Sequence, residues 1–174
     1  MQKPQQNREN LSRLYLALWP DQETQNRLQS MRHTWSWPKN AAVVKPESLH
    51  LTLHFLGDVE NRRIPELVQG LNVTMQPFDL IMNRPQLWPN GVAVLKPHSI
   101  PTGLSQLHAG LDAALRGMGI ITEARTYRPH VTFARNAEQA IPPTMKQVQP
   151  VLWTVKSYAL VKSHNGYTIV QHYE

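Results

Sequence analysis

In the stretch L-H-L-T-L-H-F-L-G (49–57) histidine, threonine and histidine alternate with leucines, and eighty positions later P-H-V-T-F-A-R (129–135) repeats the pattern His-x-Thr-x. Side chains on a strand alternate between faces, so His50 and Thr52 share one face while Leu51 and Leu53 take the other. His130 and Thr132 stand in the same relation to Val131 and Phe133. Each strand then offers an imidazole and a hydroxyl about 7 Å apart along the backbone. If two such strands meet at a cleft, two titrating groups and two hydroxyl donors surround one space.

That set suits displacement at phosphorus. One group must deprotonate the attacking oxygen and another must protonate the leaving oxygen, and histidine, with an ordinary pKa of about 6.5, can do either near neutral pH. Threonine hydroxyls can donate to the non-bridging phosphate oxygens, where charge concentrates. Arg135 would add a charge-assisted contact. Strict alternation puts it on the Val131 side, so this role requires a bulge or the end of the strand.

Metal chemistry fits poorly. On a strand His50 and His54 lie about 13 Å apart, too far to share one ion, and no H-E-x-x-H motif or motif carboxylate is present. Taken singly, a His-x-Thr-x is more often a packed strand histidine than a catalyst; two copies half a chain apart carry the argument. His54 shares the expected face but has no counterpart, since Ala134 holds that place, and is read as a packing residue. His33, His98, His108, His164 and His172 read as surface or packing residues. Trp19, Trp88 and Trp153 are assigned to the core, with one of them lining the cleft as the open alternative.

The elements that must position these residues are legible in outline. R-L-Y-L-A-L-W (13–19) reads as a buried strand, and Asp21 as the N-cap of a helix carrying Leu28, Met31 and Trp35 on one face. Ala42–Lys45 reads as a short strand and 49–55 as the clearest one, ended by Gly57-Asp58. A helix over 62–71 follows, with Pro65 in its first turn. Phe78–Met82 and Gln86–Trp88 read as two strands, and Asn90-Gly91 as a hairpin turn into Val92–Lys96. Residues 101–117 read as a helix with Leu104, Leu107, Leu111 and Leu115 in a stripe. Val151–Lys162 and Tyr167–Tyr173 read as a last hairpin around His164-Asn165-Gly166. This mixture predicts an α+β fold with largely antiparallel sheets, and its order hints at a duplication.

The bulk properties narrow the class. Residues 1–10 are polar and aperiodic and are expected to form a loose tail, leaving 11–174 as one domain. Eighteen Lys and Arg against twelve Asp and Glu give a charge of +6, which suits a small anionic ligand; no basic run exceeds two residues, which disfavours a DNA-coating stripe. The absence of cysteine removes disulfides, thiolate nucleophiles and Cys-ligated metals. With no secretory h-region and no apolar run near the roughly 20 residues needed to span a bilayer, the expected location is cytoplasmic, away from membranes.

At these residues the sequence resembles the 2H phosphoesterase superfamily, and within it the RNA 2',3'-cyclic phosphodiesterases, also called 2'-5' RNA ligases. R-L-Y-L-A-L-W-P (13–20), L-H-L-T-L-H-F-L-G-D-V (49–59) and Y-R-P-H-V-T-F-A-R (127–135) carry the likeness. It departs at Tyr15, where Phe is commoner, and at Arg128, a cation just before the second motif. The resemblance implies a bilobal pseudo-twofold fold, two antiparallel sheets facing a central cleft with helices outside. It implies His50 as proton donor to the leaving ribose oxygen, His130 as proton acceptor from water, and Thr52 and Thr132, with Arg135, as phosphate binders. The expected partner is an RNA end or nucleotide bearing a 2',3'-cyclic phosphate, opened by a monomer to a 2'-phosphate without metal or cofactor. With an RNA 5'-hydroxyl replacing water, the same site would form a 2'-5' linkage. Rival expectations are another cyclic or 2'-5' phosphodiester, such as an ADP-ribose cyclic phosphate, and a nucleotide- or RNA-binding module without turnover.

Overall fold

The computed structural model describes residues 10–174; the expected tail lies outside the described residues except for Asn10. In chain order the elements are β1 (Leu11–Leu18), α1 (Gln22–His33), β2 (Ala42–Val43), β3 (Leu51–Glu60), α2 (Ile64–Gly70), β4 (Phe78–Leu87), β5 (Ala93–Pro97), α3 (Thr102–Gly117), β6 (Val131–Arg135), β7 (Val151–Val155), β8 (Tyr158–Ser163) and β9 (Tyr167–Tyr173). The strands follow the order β7-β4-β5-β6-β3-β1-β8-β9, with β2 added beside β6. Every pairing is antiparallel.

Two four-stranded lobes make up this order, β9-β8-β1-β3 and β6-β5-β4-β7. They join through the pair Leu51–Val131. Beyond it β2 takes the place beside β6, pairing Ala42 with Arg135 and Val43 with Ala134, so the two motif strands diverge and a cleft opens between the lobes. The pseudo-twofold repeat is strand–helix–motif strand, β1–α1–β3 and β5–α3–β6. The helices cross over: α1, from the first lobe, packs on β7 of the second, and α3 packs on β3 of the first.

One face of the sheet carries the main core, into which Leu28, Met31, Leu67, Leu104, Leu107, Leu111 and Leu115 of the helices pack against Leu16, Leu51, Leu53, Leu80, Val131 and Phe133. The leucine stripe of α3 is fully buried or nearly so, as its i, i+3, i+4 spacing requires. At the start of α1 the Asp21 carboxylate accepts from the Thr24 amide at 2.8 Å, satisfying one of the helix's free N–H groups. None of the described helices is long and apolar enough to cross a membrane.

Three local expectations are corrected. The segments 78–82 and 86–88 form one strand, β4, ending at Leu87, because its partners overlap at Met82: β7 pairs with Phe78–Met82 and β5 with Met82–Leu87; Pro85 sits on the stretch that only β5 borders, where a missing N–H is tolerated. Gly57 does not end its strand. Its φ of +73° and the register shift beside it are those of a bulge, a backbone form glycine adopts without strain, and β3 runs on to Glu60. The segment 151–162 divides at Lys156-Ser157: β7 pairs with β4 at one end of the sheet, while β8 pairs with β1 and β9 at the other.

Candidate active site

His50 and His130 stand one residue before β3 and β6. Leu51 and Val131 are opposite each other, so one further step of the antiparallel register sets His50 across from Thr132 and Thr52 across from His130. Leu51 and Val131 are wholly buried on the helix side. The four motif side chains therefore share the opposite face, at the mouth of the cleft, and the structure brings them together. They lie on adjacent strands rather than on separated walls.

Each imidazole is fixed by the same device. His50 Nδ1 lies 2.7 Å from the Ser48 carbonyl, and His130 Nδ1 lies 2.7 Å from the Arg128 carbonyl. A carbonyl only accepts, so both Nδ1 atoms donate, and Nε2 is left as the basic nitrogen of each neutral ring. Burial lowers the pKa of His50, reinforced by charge on His130 and Arg135 and opposed by the bond to Ser48. Burial also lowers that of His130, with Arg135, Arg125 and Lys96 acting in the same sense and the bond to Arg128 opposing. Both rings are thus biased toward neutrality.

The bulge that Arg135 required is present. Ala93 pairs with Ala134 but Val94 with Thr132, so Phe133 is the extra residue and the alternation shifts by one. Phe133 and Ala134 are both buried and Arg135 is exposed, returned to the His130 side. The same shift occurs in β3: His54 pairs with Leu16 and Thr52 with Ala17, making Leu53 the extra residue. His54 therefore does not share the face of His50, contrary to expectation. It is 7% exposed, stacks on His108 of α3 at 4.0 Å and hydrogen-bonds the His108 carbonyl at 2.9 Å. Phe55 takes the place that Arg135 holds in the other motif.

Aromatic rings surround the site, and most were missed from sequence. Trp19 stacks on His50 with centroids 5.1 Å apart and planes at 4°. Tyr15 and Tyr167 lie 5.1 and 5.3 Å from the same ring, and Phe55 borders Tyr15. Trp88 meets His130 edge-on at 4.6 Å. Two of the three tryptophans assigned to the core therefore flank the cleft, and only Trp153 is a core residue. The triplet Leu-Trp-Pro at 18–20 and again at 87–89 was the signal that could have found them. Behind the site, the Tyr127 hydroxyl donates to the Thr52 carbonyl at 3.0 Å, tying the lead-in of the second motif to the strand of the first. Among the described residues no three His, Cys, Asp or Glu side chains are gathered as a metal site would need.

The model of the 2'-5' RNA ligase superfamily matches residues 20–167, a span that includes both motifs.

The chain belongs to the 2'-5' RNA ligase superfamily.

Within this superfamily it is 31% identical over 132 residues to the RNA 2',3'-cyclic phosphodiesterase of Escherichia coli (strain K12), covering 74% of each chain. It is 26% identical over 125 residues to the enzyme of that name from Methanocaldococcus jannaschii, covering 71% of this chain and 70% of the other. Among solved structures, a phosphoesterase superposes with a TM-score of 0.81 at 25% identity over 93% of this chain and 97% of that one. Escherichia coli LigT in its apo form gives 0.81 at 24% identity over 94% and 97%. The bilobal superfamily fold that the resemblance implied is the fold observed.

Proposed function

We propose that this superfamily member is a metal-independent RNA 2',3'-cyclic phosphodiesterase that opens a cyclic phosphate at an RNA end to a 2'-phosphate. The observation that carries this reading is the pair of imidazoles, each held through Nδ1 by the carbonyl two residues back, beside two threonines on one sheet face. The curated relatives named for this reaction support it. His130 Nε2 accepts a proton from water as the water oxygen attacks phosphorus. The P–O3' bond breaks, and protonated His50 delivers its Nε2 proton to O3'. Thr52 and Thr132 donate to the non-bridging oxygens, and Arg135 adds a cation as charge builds on them. Each turnover leaves the two histidines with exchanged protonation states, which solvent resets. With an RNA 5'-hydroxyl in place of water, the same steps form a 2'-5' linkage. Both motifs come from one chain, so a monomer suffices.

The test is phosphorus NMR of a 2',3'-cyclic-phosphate-ended oligonucleotide with the protein in EDTA. The reading expects conversion to a 2'-phosphate. No turnover of this substrate, with turnover of an ADP-ribose cyclic phosphate, would move the assignment to that substrate class. Loss of activity in EDTA, restored by zinc, would overturn the metal-free mechanism.

A further inference from the structure

The two lobes are alike in topology but present opposite chemistry beside the motifs. In the first lobe, Thr52 is followed across the sheet by Ala17, Ala159 and His172, and Phe55 by Tyr15, Val161 and Ile169. Tyr15, Ala17, Ala159 and Val161 form a small apolar cluster with Trp19 and Ile169. In the second lobe, Val131 pairs with Leu95, so the next step sets His130 beside Lys96, and Lys96 pairs in turn with Arg84. The parallel row runs from Thr132 to Val94 and Gln86. Val94 is buried yet stands apart from the main core, as a residue beneath this face should.

Lys96 and Arg84 thus extend in a line from His130 across the sheet. Arg84 is two strands away, about 10 Å at ordinary strand spacing, too far to serve the phosphate between the histidines. It is exposed and Lys96 partly so. Neither has a carboxylate partner among the described residues, whereas Arg27, Arg62, Arg63, Arg116 and Arg125 each have one. Unpaired cations in a row call for an anion with a repeat. Water arriving at His130 needs none; an RNA strand does.

We propose that Lys96 and Arg84 form a track for the phosphate backbone of single-stranded RNA lying on the His130 side of the cleft, beyond the phosphate held by the motifs. This rests on the proposed function, which puts the leaving ribose on the aromatic side with His50 and the attacking oxygen on the cationic side with His130. The lobes then divide the work: the aromatic one receives the terminal nucleoside, the cationic one a strand.

The test is fluorescence anisotropy of a labelled single-stranded hexanucleotide with 5'- and 3'-hydroxyl ends, bound by the intact protein between 50 and 200 mM salt. Each phosphate contact on a single strand contributes a slope of about −0.7 in log affinity against log salt. Lys96→Gln/Arg84→Gln should therefore flatten the slope by about 1.4, so that the fourfold rise in salt weakens its binding about sevenfold less than it weakens the unaltered protein. Arg62→Gln/Arg116→Gln removes the same charge at the turn before α2 and the end of α3, and should keep the original slope. Equal slopes for the unaltered protein and the track variant, or equal flattening in both variants, would overturn the track. Binding is read without turnover. A protein that binds with this salt dependence but opens no cyclic phosphate keeps the track and loses the proposed reaction; one that opens cyclic phosphates with no change of slope does the reverse.

Discussion

Replacing His108 with phenylalanine isolates the acid sensitivity built in behind the site. The His108 ring lies between His54 and Tyr127, with centroids at 4.0 and 3.9 Å and interplanar angles of 22° and 18°. Its pKa is pushed down to about 4, first by burial and then by charge on His54, with Asp112 and a hydrogen bond to Leu53 pulling the other way. In the unfolded chain the imidazole titrates near 6.5. Between those values the unfolded state takes up a proton that the folded state refuses, so stability is full above about 6.5 and falls as the pH drops toward 4. At about 1.4 kcal/mol per pH unit the ceiling is about 3.4 kcal/mol, which solvent screening of a half-buried ring reduces to about 1–2 kcal/mol. Phenylalanine keeps the stack and cannot take the proton; the lost bond to Leu53 offsets both pH values equally. In urea unfolding at pH 7.5 and 5.0, the unaltered protein should lose about 1 kcal/mol more than His108→Phe. Identical losses would refute the argument that this stack excludes charge.

Three further perturbations probe the site. Arg135 lowers the pKa of both motif histidines, so in Arg135→Gln both limbs of the kcat/KM–pH profile should move to higher pH. The same variant should lose roughly 10–100-fold in kcat/KM, as for a charge-assisted hydrogen bond; a loss with an unmoved profile would separate Arg135 from the histidines. Because both histidines titrate below their ordinary value, the unaltered enzyme should show a bell-shaped kcat/KM profile with its maximum below about pH 6.5. A maximum at pH 8 would contradict that electrostatic account. Among the described residues the buried Tyr15 hydroxyl has no hydrogen-bond partner, so Tyr15→Phe should leave stability unchanged or raise it by about 1 kcal/mol in thermal unfolding. A loss above about 1 kcal/mol would show that the hydroxyl has a partner in solution.

The candidate site's face was legible because its signal is local: a period-two pattern around two His-x-Thr pairs needs no knowledge of neighbours. What followed each threonine was not. A bulge adds a residue without a side-chain signature, so the pattern in L-H-L-T-L-H-F placed His54 with His50, when the extra Leu53 turns it toward α3 and brings Phe55 round instead. The paired shift at Phe133 answered the open question about Arg135 in the same way. Trp19 and Trp88 looked like core residues because one aromatic at a strand's end does not show which face it will cover; only the repeat of Leu-Trp-Pro sets these two apart. The hairpin around His164-Asn165-Gly166 formed, from β8 and β9, but its first arm does not reach back to Val151, for a nonlocal reason: β7 satisfies its ladder against β4, some seventy positions earlier in the chain, and nothing within the segment says so. In the sequence Tyr127 reads only as part of the lead-in to the second motif, because its bond to the Thr52 carbonyl exists only once the lobes meet.

The central claim, that His50 is the acid and His130 the base, is tested most directly by changing the leaving atom. A 2',3'-cyclic phosphate whose 3'-oxygen is replaced by sulfur has a leaving group that departs without protonation. His50→Ala and His130→Ala should each lose roughly 10²–10⁴-fold on the oxygen substrate. On the sulfur substrate His50→Ala should recover most of its rate and His130→Ala should not. Recovery by His130→Ala alone would reverse the two roles, and recovery by neither would remove general-acid catalysis from His50.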